Sequence, residues 1–260
     1  MTMHLIVSLI VAAVLIQIAV LATTIYLHRC ATHGAFELTP RLHHVFRWAI
    51  FVLTGQITKE WVAVHRKHHA FSDEPGDPHS PVLLGFWSVQ LGNAIHYVRE
   101  KRNLETIRIY GRGVYEDRMD QIFNLGIVGP IVGIVTLCLG YSLFWGWAAG
   151  IGWGLFTALV HAVIYVGLLT SCVNAIGHHR IPTGYQNYGE RFHAEKTFNY
   201  KWLAWLTGGE GLHNNHHGFP KKVFLAHLPG EPDPARPLIN YMIKKGWATH
   251  VWKSENEITV

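Results

Sequence analysis

Eight histidines stand in three short motifs and a ninth stands apart, in a chain of 260 residues that holds 19 histidines in all. The motifs are His28-Arg-Cys-Ala-Thr-His33, His65-Arg-Lys-His68-His69 and His213-Asn-Asn-His216-His217. The ninth is His178, in Asn174-Ala-Ile-Gly-His178. Neutral imidazole is a ligand for iron, copper, zinc and nickel. Nine imidazoles exceed the coordination number of any one ion, so the pattern predicts two ions in a shared site. On a helix, positions i, i+3 and i+4 fall within one face about 100° wide. Each His-x-x-His-His motif is therefore expected to aim three rings in one direction.

The ligand count favours iron over zinc. Closed zinc sites take four ligands, usually with Cys, and catalytic zinc sites take three protein ligands. Nine imidazoles around two irons leave positions open for dioxygen. The chain lacks the repeated Glu-x-x-His spacing of the carboxylate-rich di-iron bundles. Cys30, Cys138 and Cys172 show no Cys-x-x-Cys spacing, cannot hold an iron–sulfur cluster, and read as structural. No protein acid or base is expected to be catalytic beyond the metal centre; the protein positions the substrate and excludes water. Asn174 lies one turn before His178 on the same face. It either bonds the helix end or reaches the metal through water.

The elements that must carry these motifs are apolar. The chain is 49% hydrophobic and 15% charged, and its charges are unevenly spread. No Asp, Glu, Lys or Arg occurs in residues 1–28 or from Gln121 to His179. Three apolar runs, 5–27, 123–144 and 146–173, are long enough to cross a bilayer core, which takes about 20 residues. The first has no basic n-region or small-x-small cleavage site and runs straight into His28, so it reads as an anchor rather than a signal peptide.

All ligands must reach one side of the membrane, and this constrains the topology. Only 31 residues separate His33 from His65, and they hold one apolar run, 45–57. One crossing there would strand the second motif, so 45–57 is expected to be interfacial or re-entrant. The hairpin 123–144 and 146–173 supplies the even number of crossings needed before His178. The run 81–98, interrupted by Ser88, Asn93 and His96, is then a surface amphipathic helix. Three spans with the N-terminus outside put all 22 Lys and Arg on one side, which the positive-inside rule makes cytoplasmic. The expected fold is an all-α integral membrane protein, a single domain over 1–260 with a cytoplasmic helical cap. The net charge of +5 suits contact with anionic lipid headgroups; no motif supports binding to nucleic acid.

The order His-x4-His, His-x-x-His-His, Asn-x3-His, His-x-x-His-His resembles the integral-membrane fatty acid desaturases, in particular the stearoyl/acyl-CoA Δ9 branch in its bacterial form. Glu60-Trp61, Asp77-Pro78-His79, Thr170-Ser-Cys-Val-Asn174 and Gly209-Glu210-Gly211-Leu-His213 carry the same resemblance, which runs from about Leu27 to Pro220. It implies that His28, His33, His65, His68, His69, His178, His213, His216 and His217 bind two Fe ions, with Asn174 holding a metal-bound water. It further implies that Trp61 and Thr170 line the bend of a substrate tunnel. Gln56 sits near that bend, one residue out of register with the family. Taken on its residues alone, Trp61 also reads as an interfacial anchor.

The implied reaction is O2-dependent desaturation of a long-chain acyl substrate, cis Δ9 on acyl-CoA. An acyl-lipid desaturase and a related di-iron hydroxylase are the alternatives. A His-rich metal transporter would need ligands at mid-membrane depth, where only His161 stands. That histidine either bonds between helices or borders the acyl tunnel. The single span before His28 departs from the four-span animal enzymes and puts their head-group contacts in doubt. With no fused redox module in the sequence, electrons are expected from a separate donor of ferredoxin, rubredoxin or cytochrome b5 type. The expected location is the bacterial inner membrane. His79 and His96 could support the site from behind, whereas His4, His43, His44, His193, His227 and His250 are expected at surfaces or interfaces.

Overall fold

The computed structural model describes residues 2–189 and 191–252, the side chains of 191–193 aside. The expectation for His193 therefore lies outside the described residues. Helix α1 (Thr2–Ala22) runs unbroken into a π-helical stretch, Thr23–Thr32. After strand β1 (Glu37–Leu38) come α2 (Pro40–Thr54), α3 (Thr58–Ala70), the one-turn α4 (Pro81–Leu84), α5 (Phe86–Glu100) and α6 (Leu104–Tyr110). A short α7 (Asp120–Phe123) precedes α8 (Val128–Trp145), α9 (Trp147–Ala162), a second π stretch (Val163–Leu169) and α10 (Thr170–Gly177). Then follow α11 (Lys201–Leu206), α12 (His213–Gly218), α13 (Arg236–Lys244) and β2 (Ala248–Thr249), which pairs antiparallel with β1.

Three helical rods are long and apolar enough to cross a membrane: Thr2–Thr32, Val128–Trp145 and Trp147–Gly177. Their number matches expectation, and their ends differ in an informative way. The first and third each run for 31 residues. At 1.5 Å per residue that is about 46 Å, against a hydrocarbon core of about 30 Å. The excess is some 16 Å on each rod, roughly ten residues, to be taken up by tilt or by an end clear of the core. The C-terminal end of the first rod carries His28 and that of the third carries Asn174, with His178 capping it. The second span starts at Val128, later than expected, because a turn over 124–127 splits Phe123 into α7.

Small residues set the approach of the last two spans. A Cβ on Gly150 would lie 2.3 Å from Ser142 Cα, and one on Gly154 would lie 2.7 Å from Cys138 Cα. Across the bundle, His161 Nε2 donates to the Leu53 carbonyl at 2.9 Å, tying the third rod to α2. The mid-span histidine therefore bonds between helices, and it lies away from the cavity described below.

Neither short apolar run is among the helices long and apolar enough to cross a membrane in the described residues. α2, 15 residues long, packs on α1 and α8 and exposes Val45 and Trp48. Its buried Arg47 pairs with Asp117 at 2.9 Å and with Asp120, and lies over the Phe123 ring. His43, expected at a surface, is buried edge-on against Tyr26, because the α2 face that carries it turns toward the first rod. α5 is amphipathic in the inverted sense. Trp87, Leu91 and Ile95 point outward at 69–75% exposure, while Gln90 and Asn93 are buried. A helix with its apolar stripe outward and its amides inward suits a lipid-facing position beside the third span.

Two arginines lock the cap onto the first rod. Arg29 donates both terminal nitrogens to Asp233, at 2.9 and 3.0 Å, and also reaches the carbonyls of Gly208 and Val223. Arg66 on α3 caps the end of the π stretch through the carbonyls of Ala31 and Thr32. These are groups a helix C-terminus leaves unsatisfied. Both partners of the Arg29–Asp233 pair are about 1% exposed. Removing one leaves a buried, uncompensated charge, which costs about 3–5 kcal/mol. Asp233→Ala should accordingly lower the unfolding midpoint of the detergent-solubilised protein strongly. Breaking the exposed Arg108–Glu105 pair with Arg108→Ala should leave that midpoint where it is, as thermal unfolding of both variants would show.

Candidate metal centre

The His28/His33 spacing is awkward for an α-helix, in which residues i and i+5 point about 140° apart. The π-helical stretch resolves this. The His33 N–H bonds the His28 carbonyl at 3.2 Å, an i→i+5 closure that brings the two side chains back onto one face. Their ring centroids lie 4.9 Å apart. α3 supplies His65, His68 and His69, α12 supplies His213, His216 and His217, and His178 stands at the end of α10. Gly177 allows that last approach, since a Cβ there would meet the His213 ring at 2.6 Å.

The nine histidines form two sets. His28, His33, His65, His69 and His216 make one; His68, His178, His213 and His217 make the other. Within each set one ring nitrogen per residue lies within 4.8 Å of all the others. Each His-x-x-His-His motif is thus divided rather than aimed at a single point. The i, i+4 pair (His65/His69 or His213/His217) serves one set and the i+3 residue (His68 or His216) serves the other. On a helix, i+3 falls about 60° to one side of i and i+4 about 40° to the other. Two adjoining sets can therefore share each helix, and His69 and His217 stack at 4.4 Å across the seam between them.

These donors fit metal. Facing Nε2 atoms lie 3.0 Å apart for His28 and His216, 3.1 Å for His65 and His69, and 2.9 Å for His178 and His213. Neighbouring ligands on an octahedral ion with bonds of about 2.1 Å stand about 3.0 Å apart. His33 Nε2, His68 Nε2 and both ring nitrogens of His217 are buried with no hydrogen-bond partner among the described residues. Such orphans are costly unless an ion or water satisfies them. Burial, reinforced by neighbouring imidazoles, holds His33, His65, His69, His213, His216 and His217 well below the ordinary histidine value. At neutral pH they offer lone pairs.

Carboxylates hold three of the rings from behind. His28 Nδ1 donates to Glu210 at 2.7 Å, His178 Nδ1 to Asp73 at 2.7 Å, and His68 Nδ1 to both oxygens of Asp77 at 3.0 Å. Burial opposes charge on Glu210, Asp73 and Asp77, yet their histidine partners keep all three below the usual carboxylate value. Burial likewise opposes charge on His68, and the Asp77 carboxylate overrides it and raises the ring. A carboxylate on the far nitrogen fixes the tautomer and turns Nε2 toward a metal.

A cavity of about 300 Å³ adjoins both sets, reaching His28 and His65 of one and His213 of the other. Gln56, Trp61, Thr170 and Asn174 all line it, as do Val64, Val166, Leu169 and Val173. Trp61 stacks on His65 at 4.8 Å. Asn174 Nδ2 donates to Asn93 at 3.0 Å, and Asn174 lines the cavity. The cavity walls are mostly apolar up to the paired histidine sets. The fatty acid desaturase model matches residues 3–229. The chain belongs to the fatty acid desaturase family.

Relatives extend the match. The chain is 32% identical to an sn-1 stearoyl-lipid 9-desaturase of Synechocystis sp. over 75% of its own length and 56% of the relative's. An sn-1 stearoyl-lipid 9-desaturase of Anabaena variabilis is 31% identical over 76% of this chain and 66% of its own length. For an acyl-CoA 5-desaturase of Anemone leveillei the figures are 31%, 77% and 57%. The chain thus spans between about half and two thirds of each of these relatives.

Asp73 escaped the sequence reading, and no role was read for Glu210 or Asp77 even though both sit in quoted motifs. The available signal was the carboxylates set close to the histidines: Asp73 and Asp77 follow His69 by four and eight residues, and Glu210 precedes His213 by three. His79 does pack behind the site, its ring 4.7 Å from His68. The division of the motifs predicts that His68→Ala and His216→Ala each lower bound metal from about two ions per chain to one. Elemental analysis of the two purified variants would check this, and full retention in either would break the assignment of sets.

Proposed function

We propose that this desaturase introduces a cis double bond near the middle of a saturated long acyl chain, with two Fe ions in its histidine sets and O2 as co-substrate. The observation that carries this reading is one apolar cavity adjoining both sets. Bound there, the irons would supply the oxidising power to remove one hydrogen from each of two adjacent methylenes. O2, two electrons and two protons then account for the hydrogens as two waters. The remaining work belongs to the protein. The C–H bonds of a long chain are nearly equal in strength, so position must come from geometry. Trp61, held against His65, and Thr170 with Gln56 shape the bend that offers one carbon pair. Val64, Leu169 and Val173 exclude water around it. Asn174, its amide turned by Asn93, would reach the metal centre through a water.

Acyl-CoA with a Δ9 product is the reading carried by the motifs; the cyanobacterial relatives named for stearoyl-lipid favour a glycerolipid as the second. Electrons come from a separate ferredoxin, rubredoxin or cytochrome b5 type donor on the cytoplasmic face. The N-terminus lies outside a bacterial inner membrane. All Lys and Arg then fall on the side of the site.

Incubating reconstituted protein with defined acyl-CoAs and phospholipids, followed by mass spectrometry, should show a product two hydrogens lighter in one substrate class. A hydroxylated product would replace the desaturase reading with the hydroxylase one. Thr170→Trp should scatter the double-bond position or cut turnover by about 100-fold while leaving bound metal unchanged. A variant normal in both position and rate would remove Thr170 from the bend. Reporters fused ahead of Met1 and after Val260 should read external and cytoplasmic respectively; two ends on one side would refute the three-span orientation.

A further inference from the structure

The two histidine sets differ in the charge that stands behind them. In the four-histidine set two ligands are backed by carboxylates, His178 by Asp73 and His68 by Asp77. In the five-histidine set His28 alone is so backed among the described residues, by Glu210. Each carboxylate is held in place by neutral donors, so its negative charge is kept. Asp73 is fixed by the Ser80 hydroxyl at 2.6 Å, Asp77 by the backbone N–H groups of Asp73 and His79 at 2.9 and 3.0 Å, and Glu210 by the Thr24 hydroxyl. Arg29, next to His28 in the chain, is itself paired with Asp233. Two buried carboxylates thus stand behind the four-histidine set and one carboxylate behind the five-histidine set.

A carboxylate that accepts the Nδ1–H of an imidazole makes the opposite nitrogen a stronger donor, and stronger donation favours the higher oxidation state of a bound metal. We propose that Asp73 and Asp77 set the two metal sites at different potentials, so that iron in the four-histidine set stays ferric to lower potential than iron in the five-histidine set. This rests on the di-iron reading above. In this arrangement the two carboxylates are positioning residues: they touch neither substrate nor metal and act through His178 and His68. An electron delivered by a donor protein settles first on the five-histidine side, where fewer carboxylates back the ligands.

The test uses the full chain loaded with iron-57 in lipid nanodiscs, poised with redox mediators and followed by Mössbauer spectroscopy. Two ferric signals should convert to ferrous at separate potentials. Asp73→Asn and Asp77→Asn should each raise the potential of the later-reduced signal and leave the earlier one in place. Glu210→Gln should do the reverse. If an Asp variant loses one iron, the iron retained should be the earlier-reduced one. Two irons reduced at a single potential, an Asp variant that moves or loses the earlier signal, or Glu210→Gln acting on the later one would each overturn the inference. Wild-type protein that takes up no iron would overturn the di-iron reading itself, before any variant is made.

Discussion

Nine imidazoles whose lone pairs converge in a buried volume repel one another until an ion lies between them, and this chain must hold them there by outside force. Facing nitrogens at about 3 Å show how closely the rings are brought together. Much of the cap can be understood as the restraint that opposes their repulsion. Arg29 and Asp233 clamp the first rod to the C-terminal segment, and Arg66 clamps α3 to the end of the π stretch. Asn214 and Asn215, between the ligands of the third motif, are fully buried and bonded to Tyr188, Asn199, Leu225 and Glu231. The residues between the ligands therefore anchor the helix that presents them.

Membrane thickness supplies the second restraint. Two rods are longer than a hydrocarbon core is thick, and the His28 end of one meets the Asn174 end of the other where α3 and α12 bring their histidines. With those ends clear of the core, helix length would set the depth of the site. It would then lie close enough to the bilayer for an apolar chain to reach and far enough for charged groups such as Asp73, Asp77 and Glu210 to be tolerated. Parity of crossings is the sequence-level form of this constraint. It is why the number of apolar rods could be read from spacing and charge alone.

Other features were not legible in that way. A helical wheel places His65, His68 and His69 on one face, and that much is correct. It cannot show that the face looks onto two centres, because the division depends on where α12 lies against α3. The π stretch is similar. His28 and His33 at i, i+5 signal that an α-helix will not serve, yet a loop would meet the spacing equally well. The carboxylates were hidden for a different reason. Acidic residues near a surface are usually solvated, and only the fold buries Asp73 and Asp77 behind rings that are themselves buried.

The inverted amphipathicity of α5 links the membrane to the chemistry. Its outward stripe of Trp87, Leu91 and Ile95 is useful only in lipid, and its inward Asn93 is useful only beside Asn174. A soluble protein would have to hide the first, and a simple transmembrane helix would have to shed the second. Lying against the third rod, α5 does both: Ala94 and Val98 become wall to the cavity while their neighbours face hydrocarbon. The barrier between bilayer and metal centre is then one helix thick. An acyl chain on one side and a polar, histidine-lined centre on the other can thus lie within a single helix diameter, about 10 Å. That proximity is what the proposed reaction on an otherwise unreactive methylene pair would require of the fold.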